Sequence, residues 1–300
     1  MNMIDDKIIE ELSGLKSNEA FNCNLFGLVN STQPNTLSFI DDKRYLEQLN
    51  SNPCITVVIT TFAFENKIFN KLLIFCDDPR FYFYDIVNKI GERNYVSFPS
   101  IISPTAKIHP RAFVAENNVI IGDRTFISAN ATILSDVEIG QDCFIQSGAV
   151  IGSEGYEYKR TSRGIISVYH DGKVIVGNNV AIGANATIVK GFSFRQTIIE
   201  DEVKIDNLVY IAHGVQIKQG TFIIGCAMIS GSVDVGKNVW IGPAAVTSNG
   251  IKIGQDAYIT MGSVVSKNVR DAEKVSGNFA IEHKMFLRHI KQISSINNFE

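Results

Sequence analysis

The chain has 300 residues, 45% of them hydrophobic and 20% charged, with a formal net charge of −3. That length can bury a sizeable core in one or two domains, and the near-neutral charge argues against a nucleic-acid binder. No run approaches the roughly 18 apolar residues of a membrane span, and the polar, acidic stretch Met1 to Lys16 does not read as a secretory signal, so a cytoplasmic protein is expected.

In chain order, the first predicted element is a helix over Ile4 to Leu15. Strand-like apolar runs follow at Ile55 to Thr60 and Lys71 to Cys76, then a second helix near Tyr82 to Ile90. Mixed helices and strands predict a small α/β domain over residues 1–98, and Pro99 and Pro104 mark the junction after it. The cysteines Cys23, Cys54, Cys76, Cys143 and Cys226 are odd in number, widely spaced and without a CxxC pair. They read as reduced thiols, neither a disulfide framework nor a zinc site.

A different rhythm then begins. Ile102, Ile108 and Val114 step by six, and Ile121, Ile127, Ile133, Ile139, Ile145 and Ile151 resume the step after a one-residue slip. Val176, Ile182 and Ile188 carry it between two interruptions. The longer interruption, about Gly155 to Lys173, holds Tyr156, Tyr158, Lys159, Arg160, Arg163, Tyr169 and His170, and is expected to form a loop outside the regular stack. It is either a binding element or a tolerated surface insertion.

From Ile199 the hexads run on through Ile205, Ile211, Ile217, Ile223, Ile229, Val235, Ile241, Thr247, Ile253, Ile259 and Val265. Four residues after each stands a small or β-branched residue, as at Val203, Val209, Val215 and Ala227. A period of six fits neither a helix nor a half-buried strand, and it predicts a β-solenoid over residues 99–270. Three short strands make a triangular coil of eighteen residues, so residues eighteen apart lie directly above one another. The predicted class is therefore mainly β: a left-handed parallel β-helix behind a small N-terminal α/β domain. In the tail, residues 271–300, apolar positions from Ile281 to Ile293 predict a short helix. Its Lys284, Arg288 and Lys291 form either a solvated face or a docking surface for an acidic carrier.

These features resemble the hexapeptide-repeat acyltransferases, most of all the UDP-3-O-acylglucosamine N-acyltransferases of lipid A synthesis. Beyond the hexads, the likeness rests on Leu37-Ser38-Phe39-Ile40 with Tyr45, on Cys143-Phe144-Ile145-Gln146-Ser147-Gly148 with Gly152 to Tyr158, and on Ile205-Asp206-Asn207 through Ile211-Ala212-His213. The resemblance implies N-acylation of a nucleotide-linked amino sugar (UDP- or dTDP-linked) from a thioester, for lipid A or surface polysaccharide. The donor would be acyl-CoA or the phosphopantetheine of an acyl carrier protein, with no permanently bound cofactor and no metal. It also implies a homotrimer with active sites between subunits. The alternatives are a sugar O-acyltransferase and a non-enzymatic hexapeptide scaffold.

By the same resemblance His213 is the general base, an imidazole able to accept the proton of an attacking amine near neutral pH. Two residues beyond Ile211, it should point outward from the prism. Gly214 follows directly, so no chain neighbour supplies a carboxylate to orient the ring. Gly231, eighteen residues on, should stack above it; the likeness assigns its N–H to an oxyanion hole, whereas turn geometry alone is the competing explanation. Asn249, two coils above His213, stands where the lipid A enzymes carry a second histidine, and cannot serve as a base. Asp206 and Asn207 would border the sugar, with Asp206 holding the amine or orienting the histidine; a solvated turn is the alternative. Phe39 and Tyr45 match the pair that sandwiches the nucleotide base, with core packing as the alternative. Met261-Gly262-Ser263-Val264 lies near the acyl groove and leaves a short acyl group open.

Overall fold

The computed structural model describes residues 4–192, 195–277 and 282–296. The N-terminal part opens with strand β1 (Ile4–Asp5) and helix α1 (Asp6–Ser13). Asp5 caps α1 by accepting from the Ile8 N–H at 2.8 Å, and Gly14 ends it in a left-handed conformation with φ 73°. Strand β2 (Asn22–Cys23) pairs with β1, and β3 (Leu25–Phe26), β4 (Thr36–Phe39), β5 (Ile55–Thr60) and β6 (Leu72–Phe75) form a parallel sheet in that order. A short helix, α2 (Leu46–Ser51), lies between β4 and β5, and the sheet packs against α3 (Pro79–Asn94). The expected helices and strands are present, Ile55–Thr60 with the expected ends and the others with shifted ends; β1 to β4 and α2 were not expected. Buried Leu37, Val57, Ile59, Ile74, Phe83 and Ile86 make the core.

From Ile101 the chain winds into a left-handed β-helix of three parallel sheets, with eight, nine and eight strands among the described residues. We call its sides the first face (Ile101–Ile102 to Lys252–Ile253), the second (Lys107–Ile108 to Lys274–Val275) and the third (Phe113–Val114 to Val264–Val265). The register matches the hexads: Ile211 pairs with Ile229, and Ile205 with Ile223. Stacked strands lie about 4.8 Å apart, so each inward Ile or Val packs on its counterparts above and below. Nearly all of these residues are sealed from solvent in one continuous core, and each fully buried side chain contributes on the order of 2 kcal/mol. Ile102 is 41% exposed because it lies in the first coil. Thr247, the polar exception in the ladder, is buried, and its hydroxyl accepts the Ser230 N–H at 3.0 Å.

Besides a last coil two residues short, where Ile259 pairs with Val275, three irregularities break the stack. The slip after Val114 is one extra residue in the coil that pairs Ile102 with Ile121. The long interruption leaves the stack as an antiparallel hairpin, Tyr158–Thr161 with Gly164–Ser167. The short one forms a bulge around Lys190 to Gln196, of which residues 193–194 are outside the described set. In the tail, α4 (His283–Ile296) replaces the helix expected from Ile281, a residue that lies outside the described set. Among the described residues no helix is long and apolar enough to cross a membrane.

Candidate active site

One edge of the prism, where the third face turns into the next first face, carries every irregular element. Rising coil by coil, it presents the hairpin, the bulge, His213, Gly231 and Asn249. The turn at His213 is pinned locally. The Gly214 N–H donates to Thr197 Oγ1 at 2.9 Å, Arg195 Nε donates to the Gly214 carbonyl at 2.7 Å, and the Ser232 N–H donates to the His213 carbonyl at 2.9 Å.

The imidazole points out of the prism, as expected, but it is only 18% exposed because the hairpin covers it. Its Nε2 stands 3.3 Å from Glu157 Oε2, and its Nδ1 is buried without a hydrogen-bond partner. The chain neighbour is glycine, as the sequence has it, and the carboxylate beside the ring is Glu157, supplied by the hairpin from another coil. Burial alone would raise the Glu157 carboxyl, but hydrogen bonds from His213 and Lys159 outweigh it and hold the group down at about 2. Lys159 pairs with the other carboxylate oxygen and lies over the Tyr84 ring at 5.1 Å. A permanently ionised carboxylate selects the ring tautomer with hydrogen on Nε2, which leaves the basic lone pair on Nδ1.

His170, from the long interruption, is part of the same cluster. It stacks on Phe192 at 4.7 Å between centroids, and its ring centroid is 6.1 Å from that of His213. Its Nε2 accepts the Gly155 N–H at 3.2 Å, so its Nδ1 is the protonated nitrogen that faces the Val168 carbonyl at 3.1 Å. Burial, reinforced by the nearby His213 charge, pushes this imidazole down to about 4, and it is neutral at physiological pH. His170 is thus a structural brace.

Gly231 lies directly on the imidazole. A methyl group at this position would stand 2.5 Å from His213 Cε1 and 2.6 Å from Nε2, closer than atoms can approach. Gly231 is buried and its φ is not in the left-handed region, so close approach to the histidine, and not turn geometry, requires glycine here. Asn249 occupies the next turn up and is exposed.

Asp206 and Asn207 are not brought to His213 within this chain. They occupy a different edge, between the second and third faces, where Asp206 accepts the Asn207 N–H at 2.7 Å and the Gly225 N–H at 3.0 Å. Asn207 Oδ1 accepts the Ala184 N–H at 2.6 Å. Both residues bridge neighbouring coils, and within this chain the carboxylate beside His213 is Glu157. In the N-terminal part, Phe39 is half-buried in an aromatic cluster with Phe83 at 4.8 Å and Tyr84 at 5.6 Å. Tyr45 is 46% exposed, with the Arg44 guanidinium 5.9 Å from its ring centre.

Glu157 carried a signal that sequence reasoning missed. Tyr156-Glu157-Tyr158-Lys159 alternates, and on a strand that alternation puts Glu157 and Lys159 on one face and the tyrosines on the other. In the structure the tyrosines are the exposed pair and the charged residues point inward.

Known proteins match this chain over parts of its coils. Residues 118–153 match the family described as "Bacterial transferase hexapeptide (six repeats)", and residues 173–212 and 232–267 match "Hexapeptide repeat of succinyl-transferase". The UDP-3-O-acylglucosamine N-acyltransferase of Coxiella burnetii (strain RSA 493 / Nine Mile phase I) is 30% identical over 67% of this chain, which spans 66% of that protein's length. The protein of the same name from Rickettsia akari (strain Hartford) is 48% identical over a shorter stretch, 33% of this chain and 28% of its own length. Among solved structures, a UDP-N-acetylglucosamine acyltransferase from Campylobacter jejuni superposes with a TM-score of 0.52 at 24% identity, covering 60% of this chain and 70% of that one. This last likeness is one of fold.

Proposed function

Because this chain belongs to the hexapeptide-repeat acyltransferase superfamily, we propose that it transfers an acyl group from a thioester to the amine of a nucleotide-linked amino sugar. One observation carries the reading: His213 is held by Glu157 on one nitrogen, keeps a free lone pair on the other, and lies against a glycine that cannot be replaced without displacing the ring.

The chemistry follows from those three groups. The sugar amine displaces what covers Nδ1 and, as it attacks the thioester carbon, gives its proton to His213 Nδ1. The Nε2–H keeps donating to Glu157, whose negative charge balances the imidazolium that forms. The Gly231 N–H stabilises the oxyanion, and collapse of the tetrahedral intermediate expels the thiolate, which recovers the proton. Asn249 and the edge above Gly231 would line the path of the phosphopantetheine arm, carried by coenzyme A or by an acyl carrier protein. Asp206 and Asn207 would border the sugar across a seam with a neighbouring subunit in a homotrimer, and Tyr45 is the aromatic open to stack on a nucleoside base, with Phe39 behind it. The three segments 1–98, 99–270 and 271–300 would then serve nucleotide binding, catalysis and tail packing, in a cytoplasmic enzyme of lipid A or surface-polysaccharide synthesis.

Incubation with UDP- and dTDP-amino sugars and a panel of acyl-CoA and acyl carrier protein donors, read by mass spectrometry, tests this. An N-acylated sugar nucleotide is the expected product. Acylation on a hydroxyl would assign an O-acyltransferase. No product, together with no thermal stabilisation by any sugar nucleotide, would leave a scaffold.

A further inference from the structure

Resting on the reaction proposed above, we infer that Asn88 and Arg163 are positioning residues, which lock the inserted hairpin to α3 and thereby hold Glu157 against His213. A two-stranded hairpin is marginally stable alone, so where its carboxylate stands depends on what the hairpin is fastened to. Here it is fastened to the N-terminal part at two separate points.

The first point is at its root. Asn88 Nδ2 donates to the Ser167 carbonyl at 2.8 Å, and Asn88 Oδ1 accepts the Tyr169 N–H at 2.8 Å. One α3 side chain therefore fixes the backbone on both sides of Val168. The Val168 carbonyl faces His170 Nδ1, and His170 Nε2 accepts from Gly155, two positions before Glu157. Ile166 and Val168 also join the apolar core of the N-terminal part.

The second point is at the tip. The Arg163 guanidinium lies over the Phe81 ring at 4.4 Å and the Tyr82 ring at 4.8 Å, and Nη2 donates to Tyr82 Oη at 2.7 Å. Next to it, the Ser162 N–H donates to Asp78 Oδ2 at 2.6 Å, while Oδ1 of the same aspartate caps α3 through Phe81. Between the two points, Lys159 lies over Tyr84 of α3 and reaches Glu157. Helix α3 of the N-terminal part and the carboxylate on the base are consequently one mechanical unit, and neither Asn88 nor Arg163 has to touch a reacting atom to affect the rate.

The test is a pair of double-mutant cycles with the full-length protein. Asn88→Ala and Arg163→Ala are measured alone and combined with Glu157→Gln, with acylation rate and thermal midpoint read for each. Each anchor variant should lower kcat about tenfold with KM for the sugar nucleotide within about twofold, because a displaced catalytic group costs rate and not binding. In the Glu157→Gln background the same substitutions should change kcat by less than about twofold, since no carboxylate remains to be positioned. If an alanine variant does not fold, Arg163→Lys, which loses the planar fork, should give a smaller loss with the same non-additivity. Equal factors in both backgrounds, or an unchanged kcat in folded single variants, would overturn the inference. Additive losses alongside slow His213→Ala and Glu157→Gln enzymes would sink the anchoring alone; full activity of those two would sink the catalytic reading beneath it.

Discussion

His213 Nε2 meets Glu157 Oε2 at 3.3 Å although the two residues lie in different coils, with a hairpin and a bulge between them in the chain. The carboxylate is ionised, at about 2, so it acts on the imidazole as a fixed acceptor and a counter-charge. Glu157→Gln keeps the shape and removes the charge. It should lower kcat on the order of 10²-fold with little change in KM, and Glu157→Asp should recover part of the loss. Steady-state kinetics of the three proteins check this, and a Gln variant as fast as the parent would refute the role.

Gly231→Ala places a methyl group 2.5 Å from His213 Cε1, against a ring already fixed by its turn and by Glu157. The imidazole must move, and a shift of about 1 Å in a catalytic group can cost roughly 10²-fold in rate. The expected outcome is a slow enzyme whose thermal midpoint falls by only a few degrees. Full activity in the alanine variant would show that the ring has room to adapt without penalty.

His170 makes a prediction about stability and pH. Burial first, and the His213 charge next, lower its value from 6.5 to about 4. Between those values the unfolded chain binds a proton that the folded chain does not, so stability falls as pH drops through that window and recovers as pH rises. Below about 4 the group adds no further loss. Thermal midpoints between pH 7.5 and 4.5 should therefore decline less steeply for His170→Gln than for the parent. Equal slopes would contradict the burial of a neutral imidazole there.

The coil was legible because its interior repeats one demand: each hexad must put a branched aliphatic residue against the same residue type above and below, as Ile211 does with Ile229. Gly231 over His213 followed from the same arithmetic. Glu157 did not, because a hairpin that leaves the stack abandons the register, and its contacts are with a helix from the other end of the chain, where Asn88 holds the Ser167 carbonyl and Tyr82 meets Arg163. Nor do the hexads put Asp206 beside His213 within one chain. One hexad along the sequence is one face around the prism, so neighbours in the repeat stand on different edges. Phe39 reads as an aromatic in a suggestive position, yet its ring belongs to a cluster with Phe83 and Tyr84 that only the packed sheet and helix reveal.

The most direct measurement is the rate of amide formation by His213→Ala against the parent, with both shown to be folded by circular dichroism. With the proposed base removed, the rate should fall by about 10²- to 10⁴-fold while the sugar nucleotide still binds. A folded His213→Ala protein that retains more than roughly a tenth of the parent rate would contradict base catalysis at this edge, since such a loss is below what general-base removal costs.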